Sequence, residues 1–340
     1  MDTKPKIRLG ISIGDTNGIG PEVVIKTLSD QRILNFCTPV IYGSAAILNK
    51  VRKDLEAEHF HYQQLDTAAN LTLKKVNLVS CIAEDLEITP GTPTAASGKA
   101  SLDSLLAASR DLKAGLLDGL VTAPINKDNI QAEDFRFPGH TEFLTSYFDA
   151  ADSLMLLVSG DLRVATVTGH IPVKEVAAKL TEALLIRKIT ILLESLRKDF
   201  GILKPRIAVL GLNPHAGEKG LLGNEEVEII RPAVMHLKER GHLVFGPYPA
   251  DGFFGMRQYT QVDAVLSMYH DQGLIPFKTL AMETGVNFTA GLSVVRTSPD
   301  HGTAYDIAGK QLADETSFRE ALFLACDVIK KRQAAQIALV

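Results

Sequence analysis

Short apolar runs alternate along the chain with longer segments in which apolar residues recur every three to four positions. The short runs are typical of strands in a parallel sheet covered on both faces, and the longer period is typical of amphipathic helices. We predict strands within residues 7–14, 38–43, 119–127, 162–167, 206–212, 263–268 and 289–296. We predict helices within residues 45–51, 97–114 and 176–200, and helix starts near Pro21 and His140. The alternation indicates an α/β protein, although residues 54–83 give no clear pattern.

The predicted strand at residues 263–268 is followed by His270 and Asp271. Open α/β sheets bind their ligands at the carboxyl ends of the strands, so both side chains are candidates for a site. Gln272–Gly273 is interpreted as a turn, and Pro276 as a stop that leaves Lys278 a short loop away. The pattern predicts that a histidine, a carboxylate and a lysine lie at one strand end.

Two further histidines follow predicted strands and are flanked by glycine and proline. His170 comes after the strand at residues 162–167, and His215 comes after the strand at residues 206–212. Three imidazoles from three strand ends leave an open coordination position on a divalent metal ion, as in catalytic metal sites. The alternative is that each histidine is a hydrogen-bonded structural residue.

Other polar residues have both structural and functional interpretations. His140 and Thr141 begin a helix, where backbone amides and the helix dipole favour an anion, but a simple helix cap is the alternative. Lys127 is either solvated or an anion ligand, and Asp251 lies in a segment interpreted as a turn. The pair His59 and His61 lies among polar residues and is interpreted as solvated surface.

The sequence contains five motifs, TGHIP, NPHAGE, YHDQG, PGHTE and DHGTAYDIAG, in positions that resemble the 4-hydroxythreonine-4-phosphate dehydrogenase family of pyridoxal phosphate biosynthesis. The turn after the first strand, GDTNGIGPE, is similar to one in the isopropylmalate and isocitrate dehydrogenases, and it lacks the spacing of the dinucleotide fingerprint. The resemblance implies two α/β/α subdomains of that dehydrogenase type, with the active site in the cleft between them. The first would comprise residues 1–130 and 285–340, and the second, with the metal and the dimer interface, residues 131–284.

The family resemblance also implies roles for individual residues. A divalent cation, zinc or else magnesium, cobalt or nickel, would be bound by His170, His215 and His270. Substrate would be bound by His140, Thr141, Lys278, Asn287 and Arg296. Proton transfer is expected from Lys278, Asp251 or Asp271. NAD would be bound by His301, Gly302 and Asp306, and the Asp306 carboxylate would accept a ribose hydroxyl and repel the 2′-phosphate of NADP. After Lys310 the chain departs from the Gly-Thr-Gly-Lys continuation of those dehydrogenases.

The implied reaction is NAD-dependent oxidation of 4-phosphooxy-L-threonine to a β-keto acid that loses CO2, in a homodimer whose active site is shared between subunits. A related four-carbon acid, D-threonate or D-erythronate 4-phosphate, is an alternative substrate, because residues that bind phosphate and carboxylate do not distinguish an amino group from a hydroxyl. A metal-dependent hydrolase or transferase is the alternative from another class.

Composition limits the kinds of molecule that the protein is expected to bind. The 340 residues are 46% hydrophobic and 22% charged, and the net charge of −4 argues against broad nucleic-acid binding. Phosphate recognition therefore needs a few placed cations, for which Lys278 and Arg296 are candidates. Three scattered cysteines favour a reducing compartment, and no segment approaches the ~20 apolar residues of a membrane span, so we expect a cytoplasmic protein.

Overall fold

The computed structural model describes residues 6–131 and 135–337, and the chain divides into two compact units. The first unit is built from residues 1–150 and 292–330, and the second from residues 151–291 and 331–340. Residues 135–150 belong to the first unit, and not to the second as predicted, because the aromatic side chains of Phe143 and Phe148 pack into its hydrophobic core.

The strands confirm most of the predicted apolar runs and add four more segments. In chain order they are β1 (Ile7–Ser12), β2 (Cys37–Gly43), β3 (Tyr62–Leu65), β4 (Val76–Ser80), β5 (Gly119–Thr122), β6 (Leu154–Ser159), β7 (Leu162–Thr166), β8 (Arg206–Leu210), β9 (Leu243–Tyr248), β10 (Ala264–Ser267), β11 (Val286–Ala290) and β12 (Arg296–Pro299).

All but the last of the helices lie between these strands, and short 3₁₀ turns connect several of the elements. In chain order the helices are α1 (Gly20–Ser29), α2 (Ala45–Asp54), α3 (Ala95–Lys113), α4 (His140–Tyr147), α5 (Val176–Lys179), α6 (Glu182–Lys198), α7 (Arg231–Glu239), α8 (Ala250–Gly255), α9 (His270–Ala281) and α10 (Thr316–Ile337). Within the residues described, no helix is both long and apolar enough to cross a membrane.

The first unit contains a parallel sheet in the order β3-β4-β2-β1-β5-β12. Strands β2 and β5 are buried at every position, which explains why their sequences are nearly continuous apolar runs. Strand β3 is half-exposed at the edge of this sheet, so its residues carry no comparable pattern.

The second unit contains a mixed sheet in the order β11-β6-β7-β10-β8-β9. Strands β7, β10, β8 and β9 run parallel, whereas β6 is antiparallel to both β7 and β11. Because β10 pairs with β7 on one side and with β8 on the other, the carboxyl ends of these three strands lie side by side.

Three predictions about local structure were wrong. Residues 289–296 do not form one strand, because β11 ends before Gly291, which has a left-handed φ of 90°. The predicted turn around Asp251 is the first turn of α8. The predicted break after the strand at 263–268 is helix α9, which is described with the site below.

Candidate metal and anion sites

Three histidines follow the three adjacent parallel strands of the second unit. His170 follows β7, His270 follows β10 and His215 follows β8. The prediction that they lie beyond strand ends is confirmed, and the sheet order adds that those strands are direct neighbours. His170 and His215 are exposed and His270 is half-buried, so all three rings are accessible to a ligand.

His170 and His270 form a close pair of imidazoles. Their ring centroids are 5.6 Å apart and the ring planes are tilted by 45°. His270 Nδ1 lies 2.7 Å from Asp271 Oδ1. In the tautomer with the proton on Nδ1, the ring donates to this carboxylate and leaves the Nε2 lone pair for a metal ion. The donor set therefore fits a divalent cation that prefers imidazole nitrogen.

The described residues of one chain do not assemble a complete set of metal ligands. Among residues 6–131 and 135–337, no three or more His, Cys, Asp or Glu side chains are grouped closely enough to hold a metal ion. The three-histidine set therefore stays a prediction.

His215 lies on an unusual backbone segment. Residues 215–219 have φ values from 42° to 78°, a run of five left-handed residues. A left-handed residue that is not glycine costs roughly 1–2 kcal/mol, and only Gly217 in this run avoids that cost. Such strain persists only where surrounding contacts enforce it, and it is concentrated at functional sites. The sequence gave no indication of the left-handed turn.

Helix α9 begins at His270 and carries Asp271 in its first turn. The glycine that suggested a turn has a packing role, because a Cβ atom at Gly273 would lie 2.4 Å from Ser267 Oγ. Gln272 also stabilises the helix start: its Oε1 accepts from the backbone N–H of Met268, and its Nε2 donates to the carbonyl of Gly211.

Lys278 lies on α9 and not on a short loop, so the predicted grouping of three side chains at one strand end is wrong for the lysine. Lys278 lies eight positions after His270 on this helix, which corresponds to ~12 Å along the axis. Pro276 lies inside the same helix, where it removes one backbone hydrogen bond without ending the helix. His270 and Asp271 alone remain at the strand end.

The first unit contains a buried guanidinium beside a helix start. Arg296 begins β12 and is 2% exposed, and its Nε and Nη2 donate to Thr122 Oγ1 at 3.1 and 2.7 Å. Burial lowers the pKa of Arg296 to about 10, while the Glu142 carboxylate opposes that shift. The sequence did not lead us to predict Thr122 as the partner of Arg296. The available signal was a hydroxyl side chain at the end of an apolar strand.

His140 begins α4 close to these charges. Burial lowers the pKa of His140 well below its usual value, and the positive charges of Arg296 and Lys127 lower it further. Its Nε2 atom is buried without a hydrogen-bond partner among the described residues. A neutral imidazole, a guanidinium and an ammonium group together favour an anion such as phosphate or carboxylate. Thr141 follows on the same first turn, as predicted.

Asn287 and Asp251 lie in the second unit. Asn287 is on β11 opposite Leu157, and its Oδ1 atom is buried with no hydrogen-bond partner in the part of the chain described. Asp251 is exposed on α8. Their predicted roles in substrate binding and proton transfer stay predictions.

The segment 300–310 is part of the loop that joins β12 to α10, and its Gly302 and Asp306 are exposed. His301 Nδ1 lies 3.1 Å from the carbonyl oxygen of Gly302. The hydroxyl of Tyr305 donates to Asp15 Oδ2 at 2.9 Å, which fixes the loop to the turn before α1.

Asp15 is fully buried and also accepts hydrogen bonds from the side chains of Ser97 and Asn129. The backbone N–H of Ile19 donates to the carbonyl of Thr303, so the two segments are joined twice. The loop is therefore held by a buried network, and Asp306 is presented at its surface.

The model of the family "Pyridoxal phosphate biosynthetic protein PdxA" matches residues 35–325. The chain belongs to this family. It is 51% identical over 336 residues to the 4-hydroxythreonine-4-phosphate dehydrogenase of Bacteroides thetaiotaomicron, covering 98% of this chain and 92% of the relative. It is also 40% identical over 333 residues to the D-threonate 4-phosphate dehydrogenase of Cupriavidus necator, covering 95% of this chain and 98% of the relative.

Solved structures support the same family and fold. The crystal structure of a 4-hydroxythreonine-4-phosphate dehydrogenase from Klebsiella pneumoniae is similar to this PdxA family member with a TM-score of 0.81, 33% identity and coverage of 96% of this chain and 99% of that chain. An isocitrate dehydrogenase from Methylococcus capsulatus, at 13% identity, has a TM-score of 0.51 with coverage of 97% and 88%. The second likeness concerns the fold alone, and it agrees with the predicted fold class.

Proposed function

We propose that this PdxA family member is a dehydrogenase that oxidises 4-phosphooxy-L-threonine (4-hydroxythreonine 4-phosphate) with NAD and releases CO2, yielding 3-amino-2-oxopropyl phosphate. The observation that carries the proposal is the pair of imidazoles, His170 and His270, beyond adjacent strand ends in a chain that is 51% identical to a protein of that name. The anion site around Arg296 and His140 supplies a place for the phosphate or carboxylate that such a substrate carries.

The metal ion would be bound by His170, His215 and His270, and zinc is our first choice because all three donors are imidazoles. When bound, it would lower the pKa of the substrate alcohol and polarise the resulting ketone. Asp271 is assigned to orienting His270 through their 2.7 Å contact. Asp251 and Lys278 are then assigned to proton transfer.

We infer a homodimer in which the metal ligands come from two subunits. One chain brings no complete ligand group together among its described residues, and His170 and His215 are exposed. Of the fifteen large hydrophobic side chains that are exposed in the described residues, eleven belong to the second unit. We infer that the dimer interface covers part of this set, because an interface between subunits removes apolar side chains from water. The set includes Leu221, Met256, Ile275 and Met282.

Substrate recognition would use both cations and hydrogen-bonding groups. Arg296 is suited to a planar or phosphate anion, because its guanidinium donates several hydrogen bonds in fixed directions. His140 would accept or donate one hydrogen bond as a neutral ring, with Thr141 beside it at the helix start. Lys278 and Asn287 are proposed to bind the remaining polar groups of the substrate.

NAD would be held by the loop at residues 300–310, through His301, Gly302 and Asp306. When bound, NAD would accept the hydride that leaves the substrate carbon. The hydrogen bond between Tyr305 and Asp15 fixes this loop, so that Asp306 can accept a ribose hydroxyl from a defined position.

A second substrate is supported by one relative. The 40% identical protein from Cupriavidus necator is named for D-threonate 4-phosphate. D-erythronate 4-phosphate has the same two anionic groups. Arg296 and Lys278 would bind those anions equally well with an amino group or a hydroxyl beside them.

A panel of phosphorylated four-carbon acids, assayed by NADH absorbance with and without a chelator, tests the proposal. We expect the highest kcat/KM with 4-phosphooxy-L-threonine, release of CO2, and loss of turnover on chelation that added metal restores. A higher kcat/KM with D-threonate or D-erythronate 4-phosphate would replace the proposed substrate. Absence of NADH with every acid, together with absence of thermal stabilisation by NAD, would favour a non-redox enzyme.

A further inference from the structure

The left-handed turn that carries His215 is held by a buried carboxylate. Glu226 is fully buried, and its Oε1 accepts from the backbone N–H of Asn213 at 2.7 Å. Its Oε2 accepts from the Asn213 side-chain amide at 3.0 Å. Both contacts are made to a residue only two positions before His215. A buried carboxylate that accepts two such bonds fixes the direction in which the chain enters the turn.

Two glycines leave the space that Glu226 occupies. A Cβ atom at Gly217 would lie 2.5 Å from Glu226 Oε2, and one at Gly211 would lie 3.1 Å from Oε1. Gly217 is the central residue of the left-handed run, and Gly211 directly follows β8. The carboxylate therefore packs against the backbone on both sides of His215.

Glu226 itself begins an uncommon element. Residues Glu226–Ile230 form a π-helical turn that continues into α7. Such turns are rare and are frequently found at functional sites. Here the irregular turn directs the Glu226 carboxylate toward Asn213 and Gly217.

We propose that Glu226 is a positioning residue for the metal site: its buried carboxylate holds the strained left-handed turn that presents His215 to the metal ion. The inference rests on the proposed function, in which His215 is a ligand. A left-handed run of mostly non-glycine residues relaxes unless its surroundings fix it, and the Glu226 contacts supply that constraint. Glu226 thus acts through the backbone of its neighbours and needs no contact with the metal.

The experiment compares Glu226→Gln with a matched control and a ligand variant in the full-length chain. Glutamine keeps the size of the side chain, but its amide group brings a donor against the donors of Asn213. Glu228→Gln removes a carboxylate that is exposed on the same π-helical turn. His215→Ala removes the proposed ligand. Co²⁺ is titrated into each apoprotein, and the visible absorption bands report both affinity and coordination geometry.

We expect Glu226→Gln to weaken Co²⁺ binding by about tenfold to a hundredfold and to change the shape of the absorption bands. Glu228→Gln should bind as the wild type does, and His215→Ala should lose more affinity than either. Thermal unfolding of the metal-free proteins should show that Glu226→Gln remains folded. A purely structural role of Glu226 would change the melting temperature without changing the Co²⁺ absorption bands.

Wild-type Co²⁺ affinity and bands in Glu226→Gln, together with loss of binding in His215→Ala, would overturn this inference and leave the proposed function intact. Wild-type binding in His215→Ala would overturn both. If Glu226→Gln does not fold, Glu226→Asp, which keeps the charge and shortens the reach, takes its place. Weaker Co²⁺ binding by that folded variant supports the inference, and unchanged binding overturns it.

Discussion

The imidazole rings of His170 and His270 lie 5.6 Å apart, centroid to centroid, although a hundred positions separate them in the sequence. The pairing of β7 with β10 explains this proximity, because parallel neighbours end at the same edge of the sheet. One chain thereby supplies two nitrogen donors from two strand ends. The end of β8, which precedes His215, lies beside them.

The contact between His270 and Asp271 predicts an effect on metal affinity. Asp271→Asn removes the carboxylate that lies 2.7 Å from His270 Nδ1, so the ring loses the group that would fix its tautomer and orientation. We expect a loss of about tenfold to a hundredfold in Co²⁺ affinity, measured by titration of the apoprotein, with little change in the melting temperature. Glu283→Gln, an exposed carboxylate just beyond α9, is the matched control and should bind Co²⁺ normally. An equal loss in both variants would mean that net charge, and not the His270 contact, sets the affinity.

His140 predicts how stability depends on pH. Its pKa in the folded protein is lowered by burial and by the charges of Arg296 and Lys127, so the unfolded chain binds a proton more readily. Its contribution to stability is therefore present above the unfolded pKa of about 6.5 and is lost as the pH falls below that value. The loss is at most about 1.4 kcal/mol per pH unit, because a single proton is involved.

Urea unfolding at several pH values below about 6.5 tests this prediction. The wild-type free energy of unfolding should fall more steeply with decreasing pH than that of His140→Gln. His59→Gln, which removes an exposed histidine, should keep the wild-type slope. A slope that His140→Gln leaves unchanged would assign the acid sensitivity to other groups.

The hydrogen bond between Tyr305 and Asp15 predicts a separate effect on the cofactor. Tyr305→Phe removes the hydroxyl that fixes the loop at residues 300–310, while Ser97 and Asn129 still donate to the buried carboxylate. A hydrogen bond to a charged group contributes about 1.5–3 kcal/mol, so NAD binding should weaken by roughly tenfold or more. Calorimetric titration with NAD measures this change, and Co²⁺ affinity should be unaffected. Unchanged NAD affinity would mean that the loop does not contact the cofactor.

The sequence predicted the buried strands well because their environment is uniform. Strands β2, β5 and β10 are covered on both faces, so the apolar run itself carries the information. Strand β3 lies half-exposed at an edge, and its polar sequence YQQL gave no signal. Residues 154–159 are an apolar run that went unassigned, and they form β6 between two antiparallel neighbours.

The errors near the site arose where distant contacts override local preferences. Gly273 and Pro276 indicate a turn when only their neighbours in sequence are considered, but Gly273 is required by the close approach of α9 to Ser267. The left-handed turn at His215 depends on Glu226, eleven positions later, and no local propensity predicts it. Arg296 and His140 were predicted as anion ligands, whereas their partners Thr122 and Glu142 became evident only from the packing of the first unit.

The final prediction concerns the choice between NAD and NADP. Asp306 is exposed on a loop that a buried network fixes, so a 2′-phosphate would meet a negative charge that cannot easily move away. Repulsion and one lost hydrogen bond together cost about 2–4 kcal/mol, which corresponds to a preference for NAD of roughly 30-fold to several hundred-fold in kcat/KM. Asp306→Asn should reduce this preference, chiefly by weakening NAD, and should leave Co²⁺ affinity unchanged.

The measurement is kcat/KM with each cofactor for the wild type, Asp306→Asn and the control Asp85→Asn, which removes an exposed carboxylate outside the loop. The control should keep the wild-type preference, because Asp85 has no proposed contact with the cofactor and the charge of an exposed carboxylate is screened by salt. Equal use of NAD and NADP by the wild type would show that Asp306 does not face the adenosine ribose. A full preference for NAD in Asp306→Asn would instead assign the discrimination to another residue, since the repelling charge and its hydrogen bond would be absent.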